Sequence, residues 1–172
     1  MHFPPTLRAF CLSAALLVSA TAEADEAVTR PIAIPESKVS FVDRASANVE
    51  NAVEEALDLI GIRYKRGGSN PQTGFDCSGF VSHVFKEGLG LYLPRSSREI
   101  SKTGEVVDKN ELQPGDLVFF NTMRRTFSHV GIYLGDNLFV HAPRSGAKVR
   151  IEDMRERYWT KRYNGARRVA GD

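Results

Sequence analysis

At Pro114-Gly115 the spacing of apolar residues changes, and that change limits the possible folds more than any other feature of the chain. Upstream, Ala45, Val49, Ala52, Val53, Ala56 and Ile60 recur every three or four residues, the period of a helix with one buried face. Gly61 follows where a left-handed cap ends such a helix. Phe80, Val81, Val84 and Phe85 mark a second helix over residues 77–87, with Asp76 as N-cap and Gly88 as its stop. Ser96-x-x-Glu99 is a capping-box pattern and predicts a short third helix over residues 97–102. Downstream the period is two. Residues 117–120, 128–134, 138–142 and 148–151 read as strands, with 167–170 as a further one. Helices followed by antiparallel strands make an α+β domain, its N-terminal helices packed on an antiparallel sheet.

The first residues stand apart from that domain. Arg8 precedes an apolar run over residues 9–20, and small residues at Ala20, Ala22 and Ala24 offer cleavage sites. The run is too short to cross a bilayer and reads as a secretory signal over residues 1–24. Residues 25–43, with Pro31 and Pro35, read as a linker or arm, and 44–172 as one domain. No stable membrane insertion is expected. Cys11 is no lipid-attachment site, because Phe10 precedes it and the apolar core follows it. Export places the protein in a periplasm, or otherwise outside the cell.

Removing Arg8 and Glu23 with the signal leaves the net charge at +2, which does not call for nucleic acid. Residues 150–168 hold seven Lys/Arg against three Asp/Glu. Such a cluster serves either as a solvated face or as an attraction for an anionic polymer.

Loss of Cys11 leaves Cys77 without a disulfide partner in an oxidising compartment, where a lone thiol is either buried and inert or reactive. Its position decides for reactivity. At the first turn of a helix, free N–H groups and the helix dipole favour thiolate and can receive a developing oxyanion. The small neighbours Ser78 and Gly79 leave the sulfur accessible, whereas a structural cysteine belongs on the stripe of Phe80 and Val84.

Two histidines supply the rest of the pattern. A three-residue loop of Gly135, Asp136 and Asn137 pairs Leu134 with Leu138 and opposes Gly131 to His141. His129 then shares a face with His141, and the missing side chain at Gly131 leaves room between the rings. A two-residue loop sends the histidines to opposite faces. A thiol, a base and an orienting group form a nucleophilic triad, with Cys77 as nucleophile, His129 as base and His141 holding the ring of His129. His83 lies two turns away along the helix and reads as packing or surface. No second cysteine or carboxylate is spaced to complete a metal site, and no cofactor is expected.

Tyr64-Lys65-Arg66-Gly67-Gly68, Gly74-Phe75-Asp76-Cys77-Ser78-Gly79-Phe80, Leu93-Pro94-Arg95-Ser96-Ser97, Ser128-His129-Val130-Gly131-Ile132-Tyr133-Leu134-Gly135 and Phe139-Val140-His141-Ala142 together resemble the NlpC-type cell-wall cysteine peptidases. So does the stretch Leu112-Gln113-Pro114-Gly115-Asp116-Leu117-Val118-Phe119-Phe120. The resemblance implies a papain-like fold and hydrolysis of amide bonds in peptidoglycan stem peptides or their cross-links. The resemblance also implies a bond beside diaminopimelate, either after γ-D-Glu or at a D-Ala cross-link. It implies that Tyr64, Asp76, Ser78 and Arg95 bind substrate or assist the oxyanion. Packing beneath the loop for Tyr64, a cap for Asp76 and a structural salt bridge for Arg95 are open beside those roles. Arg66 and Ile100 depart from the family pattern, which often has an aromatic and a Gln there. A monomer is expected. The alternatives are an exported effector amidase acting on a rival's wall and an inactive wall-binding scaffold.

Overall fold

The computed structural model describes residues 48–122 and 125–169. The expected signal and arm, the first residues of the first helix and the end of the last expected strand lie outside the described residues.

Helix α1 is described over residues 48–58 and buries Ala52 and Ala56. Ile60, expected on that stripe, is exposed. The chain has already left the helix there, and Leu59 turns inward instead. Gly61 takes a left-handed conformation, at φ 89°, but it does not cap the helix as expected: it lies three residues beyond the helix end, and its N–H bonds to the Val149 carbonyl. Two short strands, β1 (Ser69–Asn70) and β2 (Gly74–Phe75), pair antiparallel and lead into α2.

Helix α2 (Cys77–Leu89) begins at Asp76, whose carboxylate accepts from the Gly79 amide at 2.7 Å. Phe80, Val81, Val84 and Phe85 are buried as their spacing predicts. Gly88 does not end the helix; Gly90 does, at φ 69°, with its N–H bonded to the Lys86 carbonyl. The missing side chain of Gly88 serves helix packing. A Cβ there would stand 2.7 Å from the Ala52 Cα, so α1 and α2 cross at this point only because the residue is glycine. Helix α3 (Ser97–Ile100) carries the full capping box between Ser96 and Glu99, and stops short of the expected residue 102.

A six-stranded antiparallel sheet follows, in the order β3-β8-β4-β5-β6-β7. Its members are β3 (Glu105–Val107), β4 (Leu117–Phe120), β5 (His129–Gly135), β6 (Leu138–His141), β7 (Arg150–Asp153) and β8 (Tyr163–Arg168). The last strand thus inserts between β3 and β4. Of its residues only Ala166 is fully buried, and Tyr163 packs half-buried against the core of the sheet's second face. A one-turn helix α4 (Arg157–Thr160) precedes it.

Alternation along the strands sorts the side chains into two cores. Leu117, Phe119, Val130, Ile132 and Val140 pack on one face with α1 and α2. Val118, Phe120, Tyr133 and Phe139 pack on the other with Met154 and the Trp159 of α4. This is the expected α+β architecture with a small second cover. It brings the start of α2 and the start of β5 to one cleft.

Candidate active site

The β5–β6 hairpin decides whether the two histidines meet. Asp136 and Asn137 both take left-handed φ values, 50° and 64°, and make the two-residue turn that matches strand twist. The expected three-residue loop is therefore wrong, and Gly135 rather than Leu134 pairs with Leu138. A bulge at Leu134 absorbs the difference, so that beyond it Tyr133 pairs with Phe139 and Ile132 with Val140. Continuing that register opposes Gly131 to His141, and the histidines share a face after all. At Gly131 a Cβ would lie 2.7 Å from the Phe139 ring and 3.2 Å from the His141 Cβ, so the close approach requires glycine.

His129 Nε2 and His141 Nδ1 are 2.7 Å apart, with the rings nearly perpendicular. Both are buried, and the Trp159 indole stacks on His129 and meets His141 edge-on. Burial first, and then the neighbouring His141, hold the His129 pKa well below its ordinary value. Burial likewise lowers that of His141 against the pull of Glu152. Both rings are neutral at neutral pH, the state in which a histidine can accept a proton.

Behind His141 stands Glu152, which no period or spacing along the chain singles out. Its Oε2 is 3.3 Å from His141 Nε2, within ion-pair range but off hydrogen-bond alignment. Arg150 grips the other oxygen, with its Nε 2.6 Å away. Burial would raise the Glu152 pKa, but His141 and Arg150 outweigh it and hold it down to about 2. The expected strand over 148–151 ends one residue too early to take in Glu152; the observed strand runs to Asp153. Its pairing of Phe139 with Glu152 sets the carboxylate diagonally from His141. Trp159 is equally silent in the sequence, because one turn of helix has no period to read.

Cys77 opens α2 and is the free thiol among the described residues. It shares a cleft of about 910 Å³ with Tyr64, His129, Arg144, Glu152 and Trp159. The expected resting thiolate is not what the surroundings favour. Burial and the adjacent Asp76 carboxylate push the thiol up to about 11, although the amides of Val130, Ser78 and Cys77 itself favour the anion. Helix-start amides aid a thiolate, yet desolvation of a charge outweighs them here. These surroundings favour a thiol beside a neutral imidazole at rest.

The remaining expected residues divide. Tyr64 lines the cleft with Cys77, and burial with the neighbouring Cys77 and Asp76 raises its hydroxyl pKa. Asp76, Ser78 and Arg95 bind one another. Arg95 reaches both Asp76 oxygens, at 2.9 and 2.7 Å, and donates to the Ser78 hydroxyl at 2.9 Å. Asp76 also accepts from the Gly67 amide at 3.0 Å. Burial tends to raise its pKa, but Arg95 and these amides bring it below the usual carboxylate value. Arg95 lines a second groove along α2 with Ser69, Ser82 and His83. His83 packs its ring against Phe75, as expected of a packing residue.

Residues 61–168 match the family model described as the NlpC/P60 family. Murein DD-endopeptidase MepS/Murein LD-carboxypeptidase of Escherichia coli K12 is 49% identical over 117 residues, covering 68% of this chain and 61% of the relative. Gamma-DL-glutamyl hydrolase of Bacillus subtilis 168 is 46% identical over 127 residues, covering 73% of this chain and 30% of the relative. The chain therefore spans only part of the length of these curated relatives. A crystal structure of an NlpC/P60 family protein from Bacillus cereus superimposes with a TM-score of 0.65 at 34% identity. That superposition covers 70% of this chain and 40% of the other.

Proposed function

The chain belongs to the NlpC/P60 family, and from that premise we propose that it is a cysteine endopeptidase of peptidoglycan peptides. One observation carries the reading: the Cys77 thiol at a helix start shares a cleft with His129, whose Nε2 lies 2.7 Å from His141 Nδ1. His129 uses Nε2 toward His141, so Nδ1 is the nitrogen that acts as base when the ring proton sits on Nε2. As the Cys77 sulfur attacks the amide carbon, its proton passes to His129 Nδ1. Amides at the start of α2 receive the negative oxygen, with Tyr64 beside them. His129 then protonates the leaving nitrogen, the C–N bond breaks and a thioester remains. Water, deprotonated by His129, attacks the thioester, releases the carboxylate and restores the thiol. Asp76, Ser78 and Arg95 set the start of α2 and offer polar contacts to the stem peptide.

A wall substrate is supported by the relative whose name specifies murein, and an amide-type bond by the one named a gamma-DL-glutamyl hydrolase. The apolar run over residues 9–20 supports export, with the periplasm as destination. Among the described residues no helix is long and apolar enough to cross a membrane.

Incubating the purified protein with peptidoglycan sacculi and defined muropeptides, followed by mass spectrometry of the fragments, tests activity and bond position together. Soluble peptides are expected, with new termini either at γ-D-Glu or at the D-Ala cross-link. Cys77→Ala is expected to lower the release by about 10⁴-fold or more while keeping the melting temperature within a few degrees. Wild-type protein that releases nothing from either substrate overturns the reading.

A further inference from the structure

A pair of neutral histidines has two self-consistent proton arrangements, and only one of them works. If His129 carries its proton on Nε2 and donates to His141 Nδ1, its Nδ1 lone pair is free to take the thiol proton. If His141 carries its proton on Nδ1 and donates to His129 Nε2, then His129 is protonated on Nδ1 and cannot act as a base. The 2.7 Å contact is compatible with both. Something outside the pair must choose.

We propose that Glu152, clamped by Arg150, is a positioning residue that selects the productive tautomer of both histidines through His141 Nε2. The choice is electrostatic. His141 is fully buried, and among the described residues its Nε2 has the Glu152 carboxylate as its polar neighbour, 3.3 Å away. An anionic oxygen facing an N–H is attracted, whereas facing a ring lone pair it is repelled, and alignment is secondary to that sign. The proton therefore sits on His141 Nε2, Nδ1 becomes an acceptor, and His129 must donate from its own Nε2. Arg150 occupies Oε1, so the carboxylate cannot turn away toward solvent and presents Oε2 to His141. In serine-type triads a carboxylate performs the same selection on the base directly; here it acts one ring further out.

The inference rests on the peptidase reading for its consequence but not for its physical content. Glu152→Gln is the informative change, because the amide keeps the shape and removes the charge. Arg150 can donate only, so it holds the amide oxygen and turns the NH₂ toward His141. That orientation imposes the unproductive tautomer on both rings.

The test combines kinetics on muropeptides with ¹⁵N-histidine NMR of the free protein. In the wild type both His129 and His141 are expected to show the Nε2–H signature. In Glu152→Gln both are expected to change to Nδ1–H, with kcat lowered between about 10² and 10⁴-fold, KM little altered and the melting curve within a few degrees. In Arg150→Ala/Glu152→Gln the amide can flip, and kcat is expected to recover at least about fivefold over the single variant. An Nδ1–H signature in wild-type His141, or unchanged tautomers in a folded Glu152→Gln, overturns the proposal. Should wild-type protein release no peptide while the tautomers switch as described, the peptidase reading falls and this inference stands.

Discussion

Cys77 and His129 reach one cleft from two unlike surroundings. The start of α2 is held by charges and backbone amides near solvent: Asp76 is tied to Arg95, Gly67 and Gly79, and the Arg95 side chain is about half exposed. The histidine pair is held by packing, buried and walled by Phe120, Phe139 and Trp159. The difference shows how each partner is tuned. Polar ties aim the sulfur but do not ionise it, because burial and Asp76 oppose the anion. An apolar wall keeps the base neutral, and Glu152 behind it has to supply the direction.

The largest effect that separates the two regions is expected from Trp159→Ala. Trp159 contacts both histidines, Phe120 and Phe139, and its loss should destabilise the protein by about 3–5 kcal/mol. Chemical denaturation measures this; a loss below about 1 kcal/mol would mean that the pair does not depend on its aromatic wall.

On the Cys77 side, a thiol with its pKa near 11 should react with iodoacetamide about tenfold faster for each pH unit above 7. That is roughly 100-fold between pH 7 and 9 in the free protein. A flat rate across this range would instead identify a resting thiolate–imidazolium pair, and the contrast between the regions would fail.

Acidification should weaken the regions in sequence. His129 and His141 have pKa values lowered on folding, so the unfolded chain binds their protons first. Their stabilising contribution is complete above the ordinary value of 6.5 and is lost as pH falls through that value toward the lowered ones. Stability should fall by up to about 1.4 kcal/mol per pH unit for each histidine. Glu152 and Asp76, both lowered, keep their contributions until pH drops below 4.5 and 3.8 respectively. Denaturation curves between pH 7 and 4.5 therefore isolate the histidines; constant stability across that window would mean that they are not buried in the neutral form.

Features with local causes are legible along the chain. The caps at Asp76 and Ser96, the stripe of Phe80, Val81, Val84 and Phe85, and the glycine between the histidines each follow from neighbours in sequence. The hairpin is the instructive middle case. A three-residue loop predicts the correct shared face, whereas the chain reaches it through a two-residue turn and a bulge. Alternation of side chains constrains only which face a residue occupies, and two backbone routes satisfy it. Gly88 reads as a stop because a helix break is the local use of glycine; its partner, Ala52, lies on another helix. Strand β8 begins earlier than its residues suggest, because a polar segment shows no alternation when its neighbours on both sides supply the burial.

Two features of the site follow from the residues in order alone: a thiol at a helix start and the shared face of the two histidines. Helical period, capping chemistry and strand alternation are short-range, so the chain encodes them directly. Protonation of the site is a property of the folded molecule. Burial sets the thiol and the imidazoles neutral, Trp159 closes the wall, and Glu152 comes within 3.3 Å of His141 across a strand pair. Desolvation and Coulomb contact depend on which atoms surround a charge in space, and no pattern of neighbours along the chain encodes them.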